Sequence, residues 1–152
     1  MFQPNGYIFV LWGNHFEEAT ATIFVTELRE AGLRVKVVGL TPQRISGSHG
    51  LALVPDLTLD QALSLAIKVI CLVIPHTSSG LNRFKNDPRL RHLFSQAFEN
   101  QAKFVISQLN ETDLPNLNMF PGSLADQIIA YPVNKPEMVG FARELANSLL
   151  MN

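Results

Sequence analysis

A single cysteine in 152 residues cannot close an internal disulfide, and the simplest reading is a reducing cytoplasm. Charge is scarce as well. Charged residues make up 16% of the chain and the net charge is −1, which gives no electrostatic basis for binding nucleic acid or an anionic membrane. Long apolar runs are missing: the longest, residues 69–75, is too short to cross a bilayer. Residues 1–6 have neither the basic start nor the apolar stretch of a targeting segment. Repeats, low-complexity tracts and dividing linkers are absent too, so residues 1–152 read as a single domain. What is abundant is apolar side chain. At 47% hydrophobic, the chain can build a proper core.

The apolar residues come in short blocks. Residues 7–12 (YIFVLW) form an unbroken run ending at Gly13-Asn14, as suits a strand covered on both faces. A helix is predicted over 16–31, with Phe16, Ile23, Phe24, Leu28 and Ala31 inward. Its acids, Glu17 and Glu18 among them, are expected mostly outward, and Gly32 stops it. Residues 34–40 then read as a second strand, completing a right-handed βαβ unit. Two short extended pieces, 43–46 and 51–55, are joined by Gly47-Ser48-His49-Gly50 as a hairpin. A helical turn or two over 57–66, capped by Asp56 or Thr58, leads to a buried strand at 68–75. A helix over 87–100 follows, with Pro88 in its first turn. Strands at 103–107 and 128–131 and a closing amphipathic helix over 136–149 complete the chain.

This alternation predicts an α/β fold: an open, mostly parallel sheet with helices on both faces, a flavodoxin-like three-layer sandwich with one β-hairpin. One crossover is irregular. Residues 108–127 are interrupted by Pro115 and by Pro121-Gly122, and the seven residues 108–114 are too few for a three-turn helix. The expectation is a loop in place of a helix.

Residues 16–40 (FEEATATIFVTELREAGLRVKVVGL) and 45–63 (ISGSHGLALVPDLTLDQAL) resemble the ThiJ/PfpI superfamily, whose fold is related to class I glutamine amidotransferases. KVICLVIP, KFVIS and the segment 128–149 are similar to its later strands and closing helix, so the resemblance spans most of residues 5–150. In catalytic members a cysteine sits on a strained strand-to-helix turn, aided by an acid from the first helix and often by a histidine. A thiol attacks only as thiolate, and such neighbours tune that state.

Position by position, this chain departs from that pattern. Ser107 or Gln108 stands where the cysteine belongs, and no glycine follows to form the turn. The motif of Phe, two acids, a small residue and an acid reads Phe16-Glu17-Glu18-Ala19-Thr20, which puts Thr20 at the acid. Pro75-His76-Thr77 replaces a proline followed by two glycines. The elbow helix is expected to be missing, and the histidine's segment with it.

The resemblance therefore implies a shortened, catalytically degenerate member: a binding, regulatory or assembly module without a cofactor, and a homodimer, since members of the family commonly dimerise. Partners of this kind are a second copy, another protein or a small ligand. Asn14, His15, Thr20, His76, Thr77, Ser107 and Gln108 form the candidate remnant pocket at the carboxyl end of the sheet, with no metal, because His15 and His76 lack a third ligand. Cys71 reads as a buried core residue. The alternatives are an amidase, protease or deglycase-like hydrolase with a rebuilt site, and a small-ligand sensor using the remnant pocket.

Overall fold

The computed structural model describes residues 5–41, 45–76, 86–108 and 126–151. Strand β1 (Tyr7–Trp12) leads through Phe16 to helix α1 (Glu18–Glu30) and strand β2 (Arg34–Gly39). A two-residue strand β3 (Leu57–Thr58) runs directly into α2 (Leu59–Leu63). A 3-10 turn at Ala66–Lys68 precedes β4 (Val69–Val73), and then come α3 (Pro88–Glu99), β5 (Lys103–Ser107), β6 (Ile128–Tyr131) and α4 (Lys135–Leu150).

The six strands form one sheet in the order β3-β2-β1-β4-β5-β6, with every pair parallel. β1 lies between β2 and β4, and Ile8 through Trp12 are all fully buried. Removing such side chains from water contributes about 1.5–3 kcal/mol each. From β1 the chain winds one way to β2, and from β4 the other way to β5. Right-handed crossovers in opposite directions put their helices on opposite faces. Accordingly α1 packs with α4, and α2 with α3.

Local chemistry explains the helix ends. Thr58 and Gln61 form a reciprocal capping box on α2, which is why so short a helix persists. Asp87 caps α3 by accepting from the Arg89 amide, and Pro88 fills the first turn, where no amide is needed. α4 buries Met138, Ala142, Leu145, Ala146 and Leu149, and its Phe141 ring meets Phe24 of α1 edge-on at 6.1 Å.

Several sequence expectations are revised. α1 begins at Glu18, because the Phe16 amide turns back to the Gly13 carbonyl. Residues 57 and 58, expected to be helical, extend the sheet by pairing with Val38 and Gly39. Of the hairpin expected over 43–46 and 51–55, residues 43 and 44 lie outside those described; among the described residues the two arms meet at an antiparallel bridge, Ser46 to Ala52, and the Gly47 amide donates across the turn to the Leu51 carbonyl at 2.9 Å. Other amides of the turn find partners outside it: Ser48 donates to the Phe16 carbonyl, and His49 and Leu51 donate to Glu18. Glu18 is therefore not outward but 6% exposed. The expected loss of the elbow helix concerns residues that lie, apart from Gln108, outside those described up to 125.

Candidate functional site

In this strand order the winding reverses between β1 and β4, and the crevice beyond their carboxyl ends is where open α/β sheets bind ligands. Gly13, Asn14 and His15 leave β1 here, and Pro75 and His76 leave β4. The Glu17 amide donates to the Pro75 carbonyl at 2.8 Å, tying the start of α1 to the end of β4. The His76 ring is buried and sits edge-on to Phe16, with centroids 4.7 Å apart.

One step along the sheet, Ser107 ends β5 and pairs in register with Tyr131, the last residue of β6. Paired residues of parallel strands share a face. That face is the α1 side, because the Tyr131 ring meets Phe24 at 5.6 Å. Both Ser107 and Tyr131 are fully buried. The Tyr131 hydroxyl faces Ser107 and the main chain of His76 without a hydrogen bond of normal geometry to either. Burial pushes this phenol above its ordinary pKa, and the Glu17 carboxylate adds to the effect. It stays neutral, able both to donate and to accept.

Of the residues expected in the pocket, the fold brings Thr20, His76 and Ser107 inside. Thr20 is buried on the α1 stripe one turn before Phe24. Asn14, His15 and Gln108 are exposed, and His15 adopts a left-handed backbone (φ 67°). Thr77 lies outside the described residues. Sequence reading missed Tyr131 and the inward setting of Glu18. A tyrosine inside an otherwise apolar strand was the available signal for the first, because a buried phenol needs a partner.

Glu18 holds the rim of the site. Its carboxylate accepts the backbone amides of His49 at 2.7 Å and Leu51 at 3.0 Å, and the Ser48 hydroxyl at 3.1 Å. Cys71 lies in the middle of β4, fully buried, and burial pushes its thiol up to about 12. Of the basic residues before and within α3, Arg83 and Lys85 lie outside those described, Arg89 pairs with Asp87 and Asp60, and Arg91 and His92 are exposed. Among the described residues no group of three metal-ligating side chains occurs, and no helix is long and apolar enough to cross a membrane.

A parallel six-stranded sheet flanked by helices, with its winding reversed between β1 and β4, defines a doubly wound α/β protein. The chain belongs to the DJ-1/PfpI family, whose model matches residues 7–107. None of the curated proteins matches the chain. Among solved structures, a DJ-1 superfamily protein from Salmonella typhimurium superposes with a TM-score of 0.79 at 16% identity, over 97% of this chain and 91% of that one. Drosophila melanogaster DJ-1beta gives 0.76 at 18% identity, over 97% and 91%. Toxoplasma gondii DJ-1 gives 0.74 at 16% identity, over 95% of each chain. At such identities the likeness is one of fold.

Proposed function

We propose that this protein is a non-catalytic member of the DJ-1/PfpI family, acting as a binding module and as a homodimer. The observation that carries this reading is the state of its only thiol. Cys71 is sealed in the centre of the sheet with its thiolate strongly disfavoured, while Ser107 and Gln108 end the strand where the family's enzymes carry their cysteine. Thr20 at the assisting-acid position agrees with it. Assays with glyoxal, amide and ester substrates test this on the parent and on Cys71→Ala. No turnover is expected from either, and thiol-dependent turnover overturns the proposal. Leu51 and Val54, 53% and 91% exposed beside the Glu18-held turn, support a self-association surface. Light scattering should report a dimer, and a monomer at high concentration counts against it.

A second reading, a small-ligand sensor, draws on the unpartnered Tyr131 hydroxyl in the crevice. In that case Thr20, His76 and Ser107 form the pocket's interior and Asn14, His15 and Gln108 its rim, with Thr77 outside the described residues.

A further inference from the structure

We propose that the open edge of β2, between Arg34 and Lys36, binds a phosphate group, either free or as a small phosphate monoester. The inference goes beyond the reading above and does not depend on the crevice.

β3 is so short that it pairs only with Val38 and Gly39, which leaves the first part of β2 as an edge of the sheet. Successive residues of a strand turn their backbone groups to opposite sides. The Leu40 amide donates to the Trp12 carbonyl of β1, so residues 36 and 38 face β1 while 35 and 37 face the edge. There Val37 is fully served. Its amide donates to Asp56 Oδ2 at 2.7 Å, and its carbonyl accepts the Asp56 amide at 2.8 Å. Val35 is half served: its carbonyl accepts Arg29 Nη2 at 2.9 Å, but its amide meets no acceptor among the described residues.

Cationic side chains flank that amide. Arg29 arrives from α1, and Arg34 and Lys36 share a face of the sheet with their register partners Tyr7 and Phe9. Tyr7, Arg29, Leu33, Arg34, Val35 and Lys36 line an open notch of about 360 Å³. Arg29 is matched by Asp56 at 2.8 Å, whereas Arg34 and Lys36 have no carboxylate partner among the described residues. Arg34 is nonetheless held in place. Its guanidinium lies 4.1 Å from the centroid of the Tyr7 ring, donates to the Tyr7 hydroxyl, and donates to the Asn5 carbonyl at 3.2 Å. Because the Tyr7 oxygen accepts from Arg34, the phenol proton remains to be donated elsewhere.

The notch therefore presents donors and unmatched positive charge, which calls for an anion. A carboxylate brings a single negative charge against two unmatched cations. A phosphate monoester carries about −1.5 to −2 at neutral pH on three acceptor oxygens, enough to meet Arg34, Lys36 and the Val35 amide together.

The test is an amide NMR titration of the full chain at constant pH and ionic strength, with inorganic phosphate, with glycerol phosphate and, as the singly charged comparison, with acetate. Saturable shifts are expected at the Val35 and Lys36 amides with phosphate, and the tighter of the two phosphates tells the free ion from the ester. Acetate should bind more weakly than either. Arg34→Gln and Lys36→Gln should each weaken phosphate binding about tenfold or more, the worth of a charge-assisted hydrogen bond. Lys36 makes no hydrogen bond among the described residues, so Lys36→Gln decides the matter even where Arg34→Gln loses structure. No saturable shift at Val35 with either phosphate, parent-like affinity in Lys36→Gln, or acetate binding as tightly as phosphate overturns the proposal. Turnover of glyoxal sinks the non-catalytic reading without touching this one, so the two fail separately.

Discussion

The carboxylate of Glu18 and the amide of Leu51 meet at 3.0 Å across 33 residues of chain, and that contact shapes the turn at the rim of the crevice. A buried acceptor serving two backbone amides has no substitute in water once it is removed. Glu18→Ala is therefore expected to cost about 2–3 kcal/mol, chiefly by leaving the His49 and Leu51 amides unsatisfied. Urea unfolding measures the loss. Hydrogen exchange locates it, with those two amides losing protection ahead of the core strands. Unchanged exchange at both amides would show that the turn is held by something else.

The same carboxylate sets a pH dependence. Burial pushes its pKa up, but the backbone amides of Leu51, Glu18 itself and His49, with the His49 side chain, outweigh this and bring it from 4.5 down to about 2. A group with a depressed folded pKa contributes stability above its unfolded pKa and loses it as pH falls towards the folded one. Melting temperature should thus fall between about pH 4.5 and pH 2 more steeply in the parent than in Glu18→Gln. Parallel curves for the two proteins contradict the assignment.

Much of this arrangement is invisible to a reading of periodicity. β1 and β4 were legible because a strand covered on both faces needs an unbroken apolar run, and Tyr7–Trp12 and Val69–Val73 supply one. β3 was not, since two residues at the sheet's edge carry no pattern and owe their pairing to β2. Glu18 was read as outward because helical spacing averages over a face and cannot register a carboxylate bonded to amides more than thirty residues away. Ser107 and Thr20 were found through the family motif. Tyr131 was read only as a strand residue, because its significance comes from its register with Ser107.

Gly47 is required by this contact. A Cβ placed there would lie 2.5 Å from Glu18 Cδ, 2.6 Å from its Cγ and 2.8 Å from the Phe16 carbonyl oxygen. The carboxylate is pinned by its amides and the carbonyl is backbone, so neither can yield freely. Gly47→Ala is expected to destabilise by about 1–3 kcal/mol, an overpacking cost. Gly50, also at the turn, has open space around it, and its cost in Gly50→Ala comes only from φ +85°. Comparing the two by chemical denaturation separates crowding from backbone strain, and equal losses would refute the crowding account.

Cys71 should behave as a sealed thiol. It is fully buried in the sheet, and burial, which pushes the thiol up to about 12, leaves almost no thiolate at neutral pH. A chromogenic disulfide reagent is expected to titrate one thiol in denaturant and essentially none in the native protein within minutes. Cys71→Ala should keep the fold at a cost of about 1–2 kcal/mol for the small cavity. Rapid native labelling would bring back the possibility of thiol chemistry.

The Tyr131 hydroxyl yields the sharpest stability prediction, because two physical accounts differ in sign. A buried phenol with no partner is a liability, and Tyr131→Phe keeps its ring contact with Phe24 while removing the orphan oxygen. That variant should be more stable than the parent by about 1 kcal/mol, the reverse of the usual effect of removing a hydrogen-bonding group. Tyr131→Leu, which also loses the aromatic contact, should be less stable than both. The denaturant midpoints of the three proteins decide the matter. A loss of stability in Tyr131→Phe comparable to that of an ordinary buried hydrogen bond would mean the hydroxyl already has a partner within the folded chain, with Ser107 and the His76 main chain as the groups it faces.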